Sequence, residues 1–363
     1  MASRWLAVDK PLFATTVAMM SLGLLMVYSS SYDASQQDGA DGTHFLLRQG
    51  MAAAIGLAVM LVALRIDYRL YQRRPMVALA VGITLVLLIA VLLVGSGAGT
   101  RRWFALGSFH LQPSEIAKLS IVVFLASYLS RKDGQINDWW QGLFPALSVV
   151  GVYALLVLRE PDLGTTAAIV LVSGIMLTVA GLGWRYIIGF GMLGAATVTL
   201  QVMTHEYQLR RIMAFWDPWA DPLGFGFQTV QSLIAVGTGG IAGAGLADGM
   251  QKLSFLPAPH TDFIYAVIGE ELGLIGSVLV VTGFMLILWR GLRASVAAPD
   301  KFGFYLGVGL TAGLVMQALL NMSVVVNLVP ITGITLPLIS YGGSSLVATC
   351  AAIGVLLNIS QHS

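Results

Sequence analysis

Asp262 stands where a polar, proline-broken loop turns into a long apolar run, in the stretch LPAPHTDFIYAVIGEELG that covers Leu256 to Gly273. A carboxylate held where water meets hydrocarbon is costly for packing alone and marks a functional site. The plainer alternative is a helix N-cap, a role open to Thr261 or Asp262. The surrounding cations weigh towards chemistry. Arg101, Arg102 and Lys118 lie in or beside one segment between apolar runs, Arg159 in a second, and Arg210, Arg211 and Lys252 in a third. Guanidinium and ammonium groups collected near a lone carboxylate point to an anionic ligand.

The elements that must position these groups are membrane spans. Of 363 residues, 57% are hydrophobic and 10% charged, far from the roughly 25% charged residues of a soluble domain. Apolar runs long enough to cross a ~30 Å hydrocarbon layer recur, and predict an all-α integral membrane protein with about ten spans. They are expected at 11–28, 45–64, 76–94, 114–130, 142–158, 163–182, 186–203, 263–289, 303–324 and 338–358. An even count puts both termini on one side. With that side cytoplasmic, Arg65, Arg69, Arg73, Arg74, Arg131, Lys132, Arg185, Arg290 and Arg293 fall inside, as the positive-inside rule requires. The cations around Asp262, with Arg48, are then the ones kept outside against the rule. The first run, Leu12 to Tyr28, resembles a signal peptide but is long and lacks a small-residue cleavage site, so it reads as a retained span. The single cysteine, Cys350, excludes a disulfide framework and a cysteine-based metal site.

Each outward segment has its own pattern. Glu115 and Lys118, three apart, share a helix face; a direct role competes with a snorkelling ion pair. In Arg159-Glu160-Pro161-Asp162-Leu163-Gly164-Thr165-Thr166, capping by Asp162 or Thr165 is the favoured reading. Thr204 to His260, roughly 57 residues, is too long for a connector. Its glycine-rich part predicts short re-entrant or interfacial helices, so 204–262 is read as an extracytoplasmic loop of one polytopic domain, 1–363. On a straight eighth span, Gly269, Gly273 and Gly276 share the face of Asp262, Glu270 reaches the same cavity from below, and Glu271 points away. The Gly342-Gly343-Ser344-Ser345 run opening the last span reads as a close-packing face.

Taken together, LPAPHTDFIYAVIGEELG, RRWFALGSFHLQPSEIAKL, EPDLGTT and LPLISYGGSSL resemble the SEDS family (shape, elongation, division and sporulation) of bacterial cell-wall polymerases. Glu160-Pro161-Asp162 and FWDPWADPLG look more like its division branch than its elongation branch. The resemblance implies ten spans, cytoplasmic termini and a multi-pass place in the bacterial cytoplasmic membrane. It implies polymerisation of lipid II with a class B penicillin-binding protein as partner, alongside other division proteins and no nucleic acid. It also implies that Asp262 is the essential acid and Lys118 its partner, and that Arg101, Gln112, Ser114 and Glu115 belong to the outer motif. With Arg102, Arg210, Arg211, Lys252, His260 and Ser344 these form the expected substrate-binding set. One departure is Ala258, where the family often has a glutamate.

A diphosphate leaving group needs cations rather than a second carboxyl to protonate it. Asp262 is therefore the expected general base, with no cofactor assigned. A divalent cation, Mg or Mn, is compatible with a diphosphate, though no ligand set for it is evident. Two rivals come from other classes. A carrier flipping lipid II would place ionisable residues at midplane, and only Glu270 and Glu271 suit it. A noncatalytic scaffold would leave Asp262 and the outer arginines without work.

Overall fold

The computed structural model describes residues 8–37, 43–95, 101–106, 109–132, 134–204, 206–251, 256 and 259–362. Each of the ten expected spans coincides with a helix: α1 (Lys10–Gln37), α2 (His44–Arg65), α3 (Arg74–Val94), α4 (Pro113–Arg131), α5 (Phe144–Arg159), α6 (Leu163–Val179), α7 (Trp184–Thr204), α10 (Ile264–Val296), α11 (Lys301–Val325) and α12 (Gly343–Ser360). Between α7 and α10 lie α8 (Glu206–Trp216) and α9 (Phe227–Thr238). Eight helices among the described residues are long and apolar enough to cross a membrane, and α6 is a shorter apolar helix. The chain is thus an all-α multi-pass membrane protein.

Local chemistry sets the helix ends. Proline occupies the first turn of α3, α4 and α5, where its missing N–H costs nothing. Asp162 caps α6 by accepting from Thr165 N at 3.0 Å, and Asp300 caps α11 by accepting from Gly303 N at 2.8 Å. One small β element was not foreseen. Strands β1 (Phe104–Leu106) and β2 (Phe109–Leu111) form an antiparallel hairpin with Ala105 opposite His110.

α11 and α12 lie at the centre, each 67% buried, whereas α3 is 22% buried and turns its apolar surface outward to lipid. α2 packs along α12, α11 along α10 and α4, and α9 sits on α10. At the end of the bundle where α1 begins and α12 finishes, Arg290 pairs with Asp9 at 2.7 Å. There too the Tyr68 hydroxyl donates to Asp300, while Tyr68 N donates to Asn358 Oδ1 at 2.9 Å. Burial, with Asp300 beside it, pushes the Tyr68 phenol up to about 12.

Two helix readings need correction. α10 is not straight, because Gly273 (φ 65°, ψ −158°) interrupts it, so the shared face drawn from Asp262 through Gly276 does not exist. The last span begins at Gly343 rather than 338, since Pro337 precedes Leu338 in a left-handed conformation (φ 67°) and the chain there is irregular.

Candidate active site

Asp262 precedes α10 in a turn and does not cap it. The N-cap is Phe263, and no side chain caps that end. The turn is fixed through its backbone instead. Three successive carbonyls each accept a hydrogen bond: His260 O from Tyr341 N at 2.8 Å, Thr261 O from Ser340 Oγ at 2.6 Å, and Asp262 O from Asn321 Nδ2 at 2.8 Å. Asn321 also donates to Ile334 O at 2.7 Å, tying the turn to the irregular segment before α12. The Asp262 side chain is left to face a cavity.

That cavity, about 410 Å³, lies at the end of the bundle where the hairpin and the α7–α10 connection meet. Its charged lining is Arg48, Arg102, Glu115, Asp162 and Asp262, with His110 on the hairpin. Gln112, Thr165, Thr335, Tyr341 and Ser345 add hydrogen-bonding groups. Burial, and then the charge of Asp162, raise the Asp262 carboxyl against the pull of Arg102 and Arg211, to about 6 in all. Asp162 both caps α6, as the sequence favoured, and lines the cavity, where it accepts from Gln112 Nε2 at 3.2 Å.

The expected site residues separate on inspection. Arg102 lines the cavity, and its guanidinium donates to Glu160 O at 2.7 Å and to Pro161 O. Arg101 instead donates to Leu92 O and Leu93 O at 3.1 and 3.3 Å, closing the last turn of α3 away from the cavity. Lys118 is not beside Asp262. It pairs with Glu115 at 2.9 Å and donates to Gln317 Oε1. These three border a separate, smaller and mostly apolar cavity. Gln317 in turn donates to Thr335 O at 2.9 Å, so Lys118 reaches the larger cavity only through Glu115, its ion-pair partner, and through Gln317. The i,i+3 geometry on α4 explains this, because the ammonium meets its own helix's carboxylate first.

Gln112 and Glu115 line the cavity, whereas Ser114 is buried with its hydroxyl unpartnered among the described residues. Arg211 on α8 acts on Asp262 at a distance, and Arg210 lies 5.1 Å over the Phe225 ring. His260 packs against Phe45 and Tyr341 at 4.7 and 5.5 Å, and burial lowers its pKa to about 4. It supports Tyr341 rather than lining the cavity. Ser344 is buried behind Gly343 and Ser345, which do line it. Lys252 and Ala258 lie outside the described residues.

Sequence reasoning missed Arg48, Trp103, His110 and Tyr341 as lining residues. Arg48 carried a signal, being a cation outside against the rule. No three His, Cys, Asp or Glu side chains group to hold a metal among the described residues. A divalent ion here would complete its shell with diphosphate oxygens.

The chain is thus a helical, multi-pass membrane protein in which a carboxylate and two arginines line one cavity at an end of the bundle, a setting suited to an anionic ligand. The chain belongs to the FtsW, RodA and SpoVE family of cell cycle proteins, which matches residues 10–363. It is 40% identical to stage V sporulation protein E of Bacillus subtilis, covering 98% of this chain and 97% of that protein. It is 41% identical to the probable peptidoglycan glycosyltransferase FtsW of Geobacter sulfurreducens, covering 98% and 95%. Among solved structures it is similar to a chain from a peptidoglycan synthase complex described for its coordination of polymerization and crosslinking, with a TM-score of 0.81, 32% identity and 98% of both chains covered. It is also similar to the rod shape determining protein RodA of Thermus thermophilus, with a TM-score of 0.71, 29% identity and coverage of 98% and 97%.

Proposed function

We propose that this protein is a peptidoglycan glycosyltransferase that polymerises lipid II into glycan strands at the outer face of the bacterial cytoplasmic membrane, serving septal synthesis. The observation that carries the reading is the Asp262 carboxylate, anchored only through its backbone, facing a cavity that Arg48 and Arg102 also line. Asp262 takes the proton of the acceptor sugar hydroxyl as that oxygen attacks the anomeric carbon of the donor. The new C–O bond forms with inversion as the bond to undecaprenyl diphosphate breaks. The departing diphosphate keeps its electron pair and is stabilised by Arg102, Arg48 and the more distant Arg211. No second carboxyl is needed to protonate such a leaving group.

Both termini lie in the cytoplasm in this reading, and a class B penicillin-binding protein cross-links the strands, with other division proteins at the septum. Resemblance to relatives named FtsW supports the septal role. The carrier alternative loses its footing, because Glu270 and Glu271 are engaged by backbone N–H groups rather than standing free in a transport path. The test is reconstitution with lipid II and the partner, followed by sizing of glycan strands. Wild-type protein makes strands and Asp262→Asn protein does not; strands from the variant at the wild-type rate would overturn the assignment.

A further inference from the structure

Glu270 and Glu271 are buried carboxylates, 3% and 1% exposed, that the proposed reaction leaves unused. They sit just before the interruption in α10. At Gly273 the backbone takes φ 65°, ψ −158°, a conformation only glycine adopts without strain. The helix is thereby cut into a short piece, Ile264–Leu272, and a long one.

A cut helix leaves carbonyls and N–H groups without partners, which is untenable within a membrane unless other protein groups replace them. The segment after α9 does so. Ala244 N donates to Glu270 O at 2.9 Å and Gly245 N to Glu271 O at 3.1 Å. On the other side of the cut, Leu274 N donates to Gly240 O at 2.9 Å and Ile275 N to Ile241 O at 3.2 Å. The approach is close enough that a Cβ on Gly243 would fall 2.1 Å from Glu271 O.

The two carboxylates then fasten the rest of the same loop. Glu270 Oε1 accepts from Met250 N at 2.7 Å and Gln251 N at 3.1 Å. Glu271 accepts from Ala247 N at 3.2 Å and from Ser29 Oγ on α1 at 2.7 Å. A helix this short is marginal by itself. Its place, and with it the place of Asp262 at its head, depends on what holds it.

We propose that Glu270 and Glu271 are positioning residues for Asp262, fixing the short piece of α10 by clamping it to the 239–251 loop and to α1. The proposal rests on the reading of Asp262 as base, and it gives the two glutamates work that is neither proton transfer nor transport.

The experiment uses full-length protein in lipid nanodiscs with lipid II and the cross-linking partner. Glu270→Ala and Glu271→Ala should each lose turnover at saturating lipid II by about a hundredfold, the scale of an ångström's misplacement. The lipid II concentration at half-saturation should move by less than about threefold, since the loss lies in the transition state. Glu270→Gln and Glu271→Gln, which keep an acceptor oxygen, should recover most of the rate. In the alanine variants amide hydrogen exchange should rise across 259–272 and 239–251 and stay unchanged in α11 and α12.

Wild-type turnover in both alanine variants, or lost turnover with unchanged exchange over 259–272, would overturn the proposal. So would glutamine variants as inactive as the alanine ones with exchange unchanged, which would assign the charge itself to the chemistry. Asp262→Asn is measured in parallel: its activity decides the base assignment, while the exchange data decide the clamp independently.

Discussion

Asp262 is required as an anion in a place that favours its neutral form. Burial and Asp162 raise it to about 6, so the fraction able to accept a proton, and with it turnover at saturating lipid II, should climb as pH rises through about 6. Its effect on stability runs the other way. A raised carboxyl favours the protonated folded state, a contribution present below the ordinary aspartate range and lost as pH rises through about 6. Asp262→Asn protein should therefore be inactive at neutral pH yet melt no lower than wild type in a detergent thermal scan. Glu160 carries the same logic further. It is fully buried, both carboxyl oxygens lack partners among the described residues, and burial with Asp162 pushes it up to about 8 against Arg102. Its stabilising protonated form is lost as pH rises through about 8. Wild-type melting temperature should fall across that range, and Glu160→Gln, neutral at every pH, should flatten the fall.

At the scale of elements, the two arginines of the hairpin entry do different work. Arg101→Gln should loosen the end of α3 and lower the melting temperature slightly with turnover nearly unchanged, because its guanidinium serves helix carbonyls. Arg102→Gln should lower turnover by about tenfold or more, because a cation at the leaving group is lost. Assays of glycan synthesis per folded molecule separate them. Gly164, at the start of α6, lies so close to the 331–335 segment that a Cβ would fall 2.4 Å from Ile334 Cγ1 and 2.8 Å from Thr332 O. Gly164→Ala should cost about 1–3 kcal/mol by overpacking, read as a lower melting temperature.

These contacts also show what the sequence could and could not announce. The spans were legible because a membrane demands long apolar runs, and Asp262, Arg102 and Glu115 because charged groups at their ends stand out; Gln112 was legible only through the family resemblance. The interruption at Gly273 was hidden, since a glycine in a long helical run reads equally well as a close-packing position and its replacement hydrogen bonds come from residues about thirty positions upstream. Three-residue strands are too short to show a period, which concealed the hairpin. Lys118 was placed against Asp262 by family resemblance, whereas helix spacing alone already gave it Glu115.

For the whole molecule, the proposed mechanism requires the α7–α10 connection to face away from the cytoplasm. A cysteine placed at an exposed position there, such as Asp221→Cys, should react in intact spheroplasts with a membrane-impermeant thiol reagent; labelling only after lysis would reverse the orientation. Cys350 is fully buried and should stay silent. The walls of the cavity are built differently. One wall rests on the cut piece of α10, the other on α2 and α12, which approach so closely that a Cβ on Gly354 would fall 2.5 Å from Met60 O and one on Gly56 3.0 Å from Cys350 Sγ. That wall presents Arg48, Gln49, Gly343 and Ser345 on a preformed surface. An inhibitor fitted to it would lose little affinity to ordering its receptor. Escape by adding bulk at Gly56 or Gly354 would first push apart the helix pair that forms the wall, narrowing the routes by which resistance could arise.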